Sequence, residues 1–209
     1  MTRPSESPSW YRATERARRS YPKLPGDQVA DVCIIGAGYT GLSAALELAK
    51  AGRRVIVLEA ERVGFGASGR NGGQICTGFS PGQGPVRAQV GRDDARKCFA
   101  LAEEAKALVE ARIRTHGIEC DLTWGYLHCA PKASKLRDLQ EMQEEWQNEG
   151  YRDLQLLTKA ELAHKLGTSA YAGALREGRA GHFHPLDYCN GLARAASDAG
   201  AEIHEQTRV

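Results

Sequence analysis

The sequence has no long hydrophobic run. Its apolar stretches stay far below the about eighteen consecutive residues that a membrane-spanning helix requires. The polar N-terminus also has no apolar stretch after its arginines, which disfavours a secretory signal. We therefore expect a cytoplasmic protein that does not enter a membrane.

An excess of one charge is also missing. The net charge is only +2, and basic residues are interspersed with acidic ones, so the composition predicts no nucleic-acid surface. The short basic cluster from Arg16 to Arg19 is the exception, and we interpret it as part of a solvated N-terminal arm over residues 1–28. Trp10, Tyr11 and Tyr21 are expected to hold this arm on the domain.

The six cysteines show no C-x-x-C pair and no regular spacing. They are therefore expected to be reduced thiols, with neither a disulfide framework nor a metal site. His182 and His184 alternate as they would on one face of a strand, but a third ligand is missing at any recognisable spacing. We expect a structural or substrate-side role for this pair and predict no metal.

A glycine motif follows the first strongly apolar run. Residues Val32 to Ile35 predict a buried strand, and Gly36, Gly38 and Gly41 then form G-x-G-x-x-G at the start of a helical pattern. The first glycine permits a tight turn, the second lets a pyrophosphate approach the backbone, and the third lets the helix lie close to the strand. The motif predicts a phosphate at a helix N-terminus.

An acidic residue stands where a dinucleotide-binding fold needs one. The second apolar run, Val55 to Leu58, ends at Glu59, eighteen residues after Gly41. Such a side chain accepts hydrogen bonds from the hydroxyls of an adenosine ribose and disfavours a 2′-phosphate. The site therefore suits FAD or NAD better than NADP.

The rest of the chain predicts helices and a second sheet. A long amphipathic helix is expected from Arg92 to His116, a strand from Thr123 to Ala130, and a charged helix from Pro131 to about Glu149. Thr158 to Glu161 forms a capping box before a short helix that ends near Gly167. The remaining predicted elements are strands at Tyr171 to Leu175 and Gly181 to His184, a helix from Pro185 to Gly200, and a strand from Glu202 to Val209.

The loop from Val63 to Ile75 is glycine-rich, which is typical of backbone that approaches a ligand, although a flexible surface connection remains an alternative. Its segment Gly64 to Gln74, the glycine motif, Leu58 to Ala60, and Gly181 to Pro185 together resemble the D-amino-acid-oxidase-like FAD-dependent oxidoreductases. The resemblance covers almost all of residues 29–209.

The resemblance implies an α/β fold with FAD as cofactor. It implies a Rossmann-like FAD-binding domain of the glutathione-reductase type and part of an antiparallel-sheet substrate domain. The ADP portion would lie at the glycine motif and Glu59, the ribityl chain and flavin at Ser68 and the residues after it, and the adenine at the C-terminal strand. The implied cofactor-binding residues are Gly36, Gly38, Tyr39, Thr40, Gly41, Glu59, Ala60, Ser68, Asn71, Gly72, Gly73, Gln74 and Val209.

The resemblance also implies an amine oxidase, with a small-molecule amine and molecular oxygen as reactants and no catalytic residue that can be named. The expected domains are residues 29–90 and 185–209 for FAD and residues 91–184 for helices and substrate. Family members are considerably longer, so we expect an N-terminal portion that does not retain flavin stably by itself. An NAD-linked dehydrogenase and a non-catalytic dinucleotide-binding module are the alternatives.

Overall fold

The computed structural model describes residues 9–16, 18–80 and 82–209, which divide into two compact units. The first contains the described residues within Met1–Gly73, Val109–Leu122 and Phe183–Val209. The second contains those within Gln74–Leu108 and Thr123–His182. The domain boundaries expected from the sequence stay a prediction, because compactness does not by itself assign a binding role to a stretch of chain.

The first unit is built on a three-stranded parallel sheet in the order β1-β2-β7. Its strands are β1 (Val32–Ile35), β2 (Val55–Leu58) and β7 (Glu202–His204). Helix α2 (Tyr39–Lys50) connects the first two strands, as the sequence predicts. The short helix α1 (Trp10–Ala13) belongs to the N-terminal arm.

Helix α7 (Pro185–Asp198) packs against α2 and supplies much of the core of the first unit. Leu42, Leu46 and Leu192 are almost fully buried, which stabilises the unit by about 2 kcal/mol for each side chain. Strand β2 is buried as predicted, whereas Ile35 of β1 is 71% exposed. The prediction of burial on both faces is wrong for β1. This strand lies at the edge of the sheet, and its residues alternate between partly buried and exposed side chains.

The second unit contains an antiparallel sheet in which every strand pairs with β6 (Gly173–His182). The other strands are β3 (Gln74–Ile75), β4 (Thr123–Ala130) and β5 (Leu154–Thr158). The helices with residues in this unit are α3 (Gln83–Val90), α4 (Arg92–Thr115), α5 (Leu136–Asn148) and α6 (Lys159–Leu166).

Local signals predict several elements of the structure correctly. Helix α4 is the long helix expected from the spacing of apolar residues, and β4 matches its predicted bounds. Thr158 caps α6 with a complete capping box, in which Glu161 binds back to the Thr158 backbone. Pro185 is the first residue of α7, where its fixed backbone angle favours the helix.

Other boundaries differ from the sequence predictions. The two strands predicted at residues 171–175 and 181–184 are one strand, β6, because it pairs with β4 on both sides of an irregularity between Trp124 and Tyr126, at residues 173–177 and again at residues 181–182. A 3-10 turn at Ala133–Lys135 follows Pro131, so α5 begins only at Leu136. The final strand ends at His204, and α3 and β5 were not predicted.

The aromatic residues of the N-terminal arm differ in their contacts. Tyr11 packs edge-on against the His184 ring at 5.1 Å and Tyr21 is half-buried, whereas Trp10 is 75% exposed and does not hold the arm in place.

Among the described residues, no helix is long and apolar enough to cross a membrane.

Candidate functional site

The turn between β1 and α2 has the geometry that the glycine motif predicts. Gly36 has a φ of 99°, a left-handed conformation that favours glycine, and its N–H donates to the Leu58 carbonyl at 2.7 Å. A Cβ atom at Gly41 would overlap the Gly36 carbonyl oxygen. Glycine at position 41 is therefore required for α2 to lie this close to β1.

The N-terminus of α2 opens at Gly38. The N-cap residue of this helix is Gly38, which has no side chain and so makes no capping hydrogen bond of the kind that serine or threonine makes. The Ser68 hydroxyl accepts the Tyr39 N–H at 3.0 Å, and a Cβ atom on Gly38 would lie 2.8 Å from the Ser68 Oγ. Backbone N–H groups and the positive end of the helix dipole thus face a space that an anion can enter.

Glu59 follows β2 and lies beside this turn. Its Oε2 accepts the Ala37 N–H at 2.8 Å, and its Oε1 accepts the Glu61 N–H at 2.9 Å. The carboxylate therefore joins the glycine turn to the end of β2, in the position that the sequence predicts for a ribose-binding acid.

A cleft of about 520 Å³ lies over these groups. It contains four of the predicted cofactor residues, namely Gly38, Glu59, Ala60 and Ser68. Its other walls are formed by residues that the sequence predictions missed: Ala37, Glu61, Gly64, Phe65, Gly66, Ala67 and Arg208. The two guanidinium groups of Arg62 and Arg70 pack over the Phe65 ring, at 5.6 and 5.2 Å from its centroid.

Arg208 has an ion-pair partner on the neighbouring strand end. Its Nη2 lies 2.9 Å from the Glu61 Oε1. Parallel pairing of β2 with β7 places residues 59–61 beside residues 204–208, although they are far apart in the sequence. This pairing is the signal that would have identified Arg208, since both strands end at the same edge of the sheet.

The remaining predicted residues shape the surrounding loop. Asn71 donates from its Nδ2 to the carbonyls of Ala67 and Ser68, each at 3.1 Å, and accepts the Gly73 N–H at 2.8 Å through its Oδ1. A Cβ atom on Gly73 would overlap the Phe183 carbonyl oxygen. The loop fold thus requires both Asn71 and Gly73.

Tyr39 is turned away from the cleft, into the core. Its hydroxyl donates to the Pro185 carbonyl at 3.0 Å, and burial raises the pKa of this phenol. Thr40, Gly72, Gln74 and Val209 are exposed, and Gln74 is the first residue of β3 in the second unit.

The structure places His184 at the start of a helix and shows the cysteines as thiols. His184 caps α7 by accepting the Asp187 N–H at its Nδ1, at 3.1 Å, and its Nε2 lies 3.0 Å from the Thr14 hydroxyl. In residues 9–16, 18–80 and 82–209, no group of three or more histidine, cysteine or acidic side chains could hold a metal ion. All six cysteines are free thiols.

A second polar cluster is buried within the second unit and is called the Glu177 cluster below. Its members besides Glu177 are Thr77, Lys106, His128 and Tyr151. Glu177 is fully buried, its Oε2 lies 3.1 Å from the His128 Nε2, and its Oε1 accepts hydrogen bonds from the hydroxyls of Thr77 and Tyr151. Burial raises the pKa of Glu177, but bonds from His128 and Thr77 and the charge of Lys106 outweigh it and lower the pKa below its usual value.

Comparison with known proteins identifies the family. The profile of a family described as FAD dependent oxidoreductase matches residues 31–209. The chain belongs to this family. FAD is therefore the cofactor of the family to which the chain belongs, as the resemblance implied.

Individual relatives agree with the assignment to this family. A probable oxidoreductase OrdL of Haemophilus influenzae is 45% identical over 202 residues, which is 96% of this chain and 47% of the relative. The gamma-glutamylputrescine oxidoreductase of Escherichia coli is 37% identical over 201 residues, with the same two shares. The chain thus spans about half the length of the curated relatives it matches.

Solved structures show the same fold. The glycine oxidase of Geobacillus kaustophilus superimposes with a TM-score of 0.70 at 30% identity, over 86% of this chain and 47% of the other. An L-amino acid deaminase from Proteus myxofaciens gives a TM-score of 0.73 at 22% identity, over 92% of this chain and 41% of the other. The predicted α/β fold of an FAD-binding oxidoreductase is confirmed.

Proposed function

We propose that the cleft of the first unit binds the ADP portion of FAD, in an enzyme that oxidises amines. The observation that supports this best is the N-terminus of α2, where glycine takes the N-cap position, beside the Glu59 carboxylate. The helix end is suited to a pyrophosphate, and an acid at the end of β2 is suited to the ribose hydroxyls. Aromatic Phe65 and Arg208 add walls of the kind that an adenosine would contact.

Each predicted residue has a role in this proposal. Gly36, Gly38, Tyr39, Thr40 and Gly41 provide the turn and the first helical residues at the pyrophosphate. Glu59 and Ala60 contact the ribose, and Val209 lies on the adenine side. The ribityl chain and flavin lie along the loop residues Ser68, Asn71, Gly72, Gly73 and Gln74.

Bound FAD supplies the hydride-accepting ring for this chemistry. The overall change is R-CH₂-NH₂ + O₂ + H₂O → R-CHO + NH₃ + H₂O₂, so the amine is oxidised and oxygen is reduced to peroxide. The residues of this chain bind the cofactor and fix its orientation. Glu59 holds the glycine turn through the Ala37 N–H, and Asn71 holds the loop in its fold.

The proposed substrate class is supported by the name of one relative. We propose an N-substituted polyamine such as gamma-glutamylputrescine, because an enzyme of that name is 37% identical to this chain. In this proposal residues 29–90 and 185–209 belong to the FAD-binding domain, and residues 91–184 contribute helices and one wall on the substrate side.

The test uses the full gene product that carries these residues. It is purified and its absorbance spectrum is recorded, and a panel of polyamines, N-acylated polyamines and amino acids is then assayed for peroxide release. We expect a yellow protein that retains FAD and oxidises gamma-glutamylputrescine faster than free amino acids. Colourless protein that binds NAD would contradict the cofactor site.

The substrate and the acceptor are tested separately. Faster turnover of glycine or sarcosine than of the polyamines would contradict a polyamine as the substrate while leaving the cofactor site intact. Turnover with an artificial electron acceptor but without peroxide formation in air would contradict oxygen as the acceptor.

A further inference from the structure

Glu205 is a buried carboxylate just beyond β7. It is 3% exposed, and its Oε1 accepts the Val63 N–H at 2.8 Å. Its Oε2 lies 2.9 Å from the Arg18 Nη2 and accepts the Tyr21 N–H at 3.3 Å. One carboxylate therefore joins three segments of the first unit: the N-terminal arm, the residues after β2 and the residues after β7.

Both strand ends that Glu205 joins continue into the walls of the cleft. Val63 directly precedes Gly64 and Phe65, which line it. On the other side, the Gln206 N–H donates to the Glu61 carbonyl at 3.0 Å and the Thr207 N–H donates to the Glu59 carbonyl at 2.9 Å. The position of Glu205 therefore affects both the loop and the backbone that carries Arg208.

The arm follows the same segment beyond Arg18. The Leu24 N–H donates to the Thr207 hydroxyl at 3.1 Å, and the Pro22 carbonyl lies 3.2 Å from the His204 Nδ1. The arm thus contacts residues 204–207 as well, and Arg18 is its charged contact with Glu205.

We propose that Arg18 is a positioning residue for cofactor binding, which acts through Glu205 on the adenosine side of the cleft. This inference rests on the proposed function of the cleft. The Arg18 guanidinium balances a carboxylate whose side chain is only 4% exposed. Without that cation the carboxylate would turn toward water, because a buried charge without a counter-charge is strongly unfavourable, and Val63 would lose its acceptor.

The next arginine provides a matched control. Arg19 pairs with Asp198 at 2.9 Å, but both side chains are about half exposed, at 50% and 58%, and Asp198 is the last residue of α7. Exposed pairs of this kind contribute little. Arg18→Ala and Arg19→Ala therefore remove the same side chain from adjacent positions. Only Arg18 is connected to the cleft wall, through Glu205.

The experiment measures two quantities on the full gene product. The first is amide hydrogen exchange at Val63 in flavin-free protein, which reports the Glu205 contact without any ligand. The second is the Kd for FAD and for FMN, which lacks the adenosine half. In Arg18→Ala we expect faster exchange at Val63 and FAD binding weaker by about tenfold, with FMN binding unchanged, as for groups that orient a ligand-contacting residue. Arg18→Lys should restore most of the FAD affinity, and Arg19→Ala should match the wild type.

A paired variant tests the charge argument even if Arg18→Ala folds poorly. In Arg18→Met/Glu205→Gln neither member of the pair is charged, and the amide oxygen still accepts from Val63. We expect this double variant to bind FAD more tightly than Arg18→Met alone.

Several results would overturn the inference. Unchanged exchange at Val63 in Arg18→Ala would contradict it, whether or not the protein binds FAD. Equal weakening of FAD and FMN, or equal effects of Arg18→Ala and Arg19→Ala, would show a general loss of structure instead. Failure of the wild type to bind FAD at all would contradict the proposed function, and with it the cofactor role of Arg18. The exchange result at Val63 would still show whether Arg18 maintains the Glu205 contact.

Discussion

Hydrogen-bonded carboxylates have different partners in the two units. In the first unit, Glu59 accepts two backbone N–H groups, and Glu205 accepts two more together with its ion pair to Arg18. In the second unit, the partners of Glu177 are side chains from four separate segments, those of Thr77, Lys106, His128 and Tyr151. The first pattern fixes the path of the backbone around a cleft, whereas the second joins packed elements inside a core.

The difference predicts which measurement each residue affects. A carboxylate that fixes loop backbone beside an open helix end should affect ligand affinity more than the free energy of unfolding. A carboxylate buried among side chains should affect unfolding more than affinity. Substitutions in the two units can therefore confirm or contradict the contrast.

The largest effect is expected for Glu177→Gln. The substitution leaves Lys106, which is 6% exposed, with Glu103 as its remaining acidic neighbour at 3.0 Å. Breaking a buried ion pair in this way should lower the free energy of unfolding of the second unit by about 3 kcal/mol. Denaturant unfolding measures this loss.

The control for that experiment is Glu141→Gln. Glu141 pairs with Arg137 on the exposed face of α5, with side-chain exposures of 62% and 85%. We expect a change in unfolding free energy within about 0.5 kcal/mol. If both variants lose the same small amount, Glu177 does not have the structural role assigned to it.

The next effect concerns Glu59→Ala. It removes the acceptor of the Ala37 and Glu61 N–H groups and the predicted contact with ribose. FAD affinity should fall by about 2 kcal/mol, because charge-assisted hydrogen bonds are lost, while the unfolding free energy of the second unit stays the same. Equilibrium titration with FAD measures the affinity.

Glu61→Ala is the comparison within the same cleft. It removes only the exposed ion pair to Arg208, so its effect on FAD affinity should be smaller. An FAD affinity that is the same in Glu59→Ala as in the wild type would remove Glu59 from the binding site.

A smaller effect is expected for Thr158→Ala. The hydroxyl of Thr158 caps α6 in the second unit, whereas α2 of the first unit begins at Gly38 without such a cap. Loss of the cap should lower the free energy of unfolding by about 1 kcal/mol. Thermal unfolding checks this value, and FAD affinity should not change. If Thr158→Ala is as stable as the wild type, the Thr158 hydroxyl does not stabilise the N-terminus of α6 as predicted.

The last prediction varies pH. The pKa of Glu177 is lowered in the folded protein, so its contribution to stability is complete above the ordinary value of about 4.3 and is lost as pH falls through the folded pKa. The stability difference between the wild type and Glu177→Gln should therefore shrink as the pH falls below that value. Unfolding of both proteins between pH 3 and 7 measures it. A stability difference that does not shrink at low pH would contradict the assigned ionisation.

The sequence predicts those features that depend on neighbouring residues. Strand, glycine turn and helix follow within residues 32–50, and the capping box at Thr158 spans only four residues. Gly38 and Glu59 were identified from the motif and its spacing, Ala60 and Ser68 were implied by the family resemblance, and all four line the cleft. Their contact with FAD stays a prediction.

Features that depend on distant residues were missed. Arg208 reaches Glu61 only because β7 pairs with β2, and nothing in either segment alone indicates that pairing. Strand β6 was predicted as two separate strands, but its pairing with β4 and β5 includes the polar residues Arg176 and Glu177. The partners of Glu177 likewise come from segments that the sequence gives no reason to combine.

The arrangement of the second sheet has a consequence for synthesis of the chain. Strands β3, β4 and β5 all bond to β6, which emerges from the ribosome after each of them. The earlier strands therefore wait with unpaired edges until about residue 182 has been made, and such edges favour aggregation. Slower translation just after β6 should therefore increase the yield of folded protein, whereas a pause before β6 should decrease it.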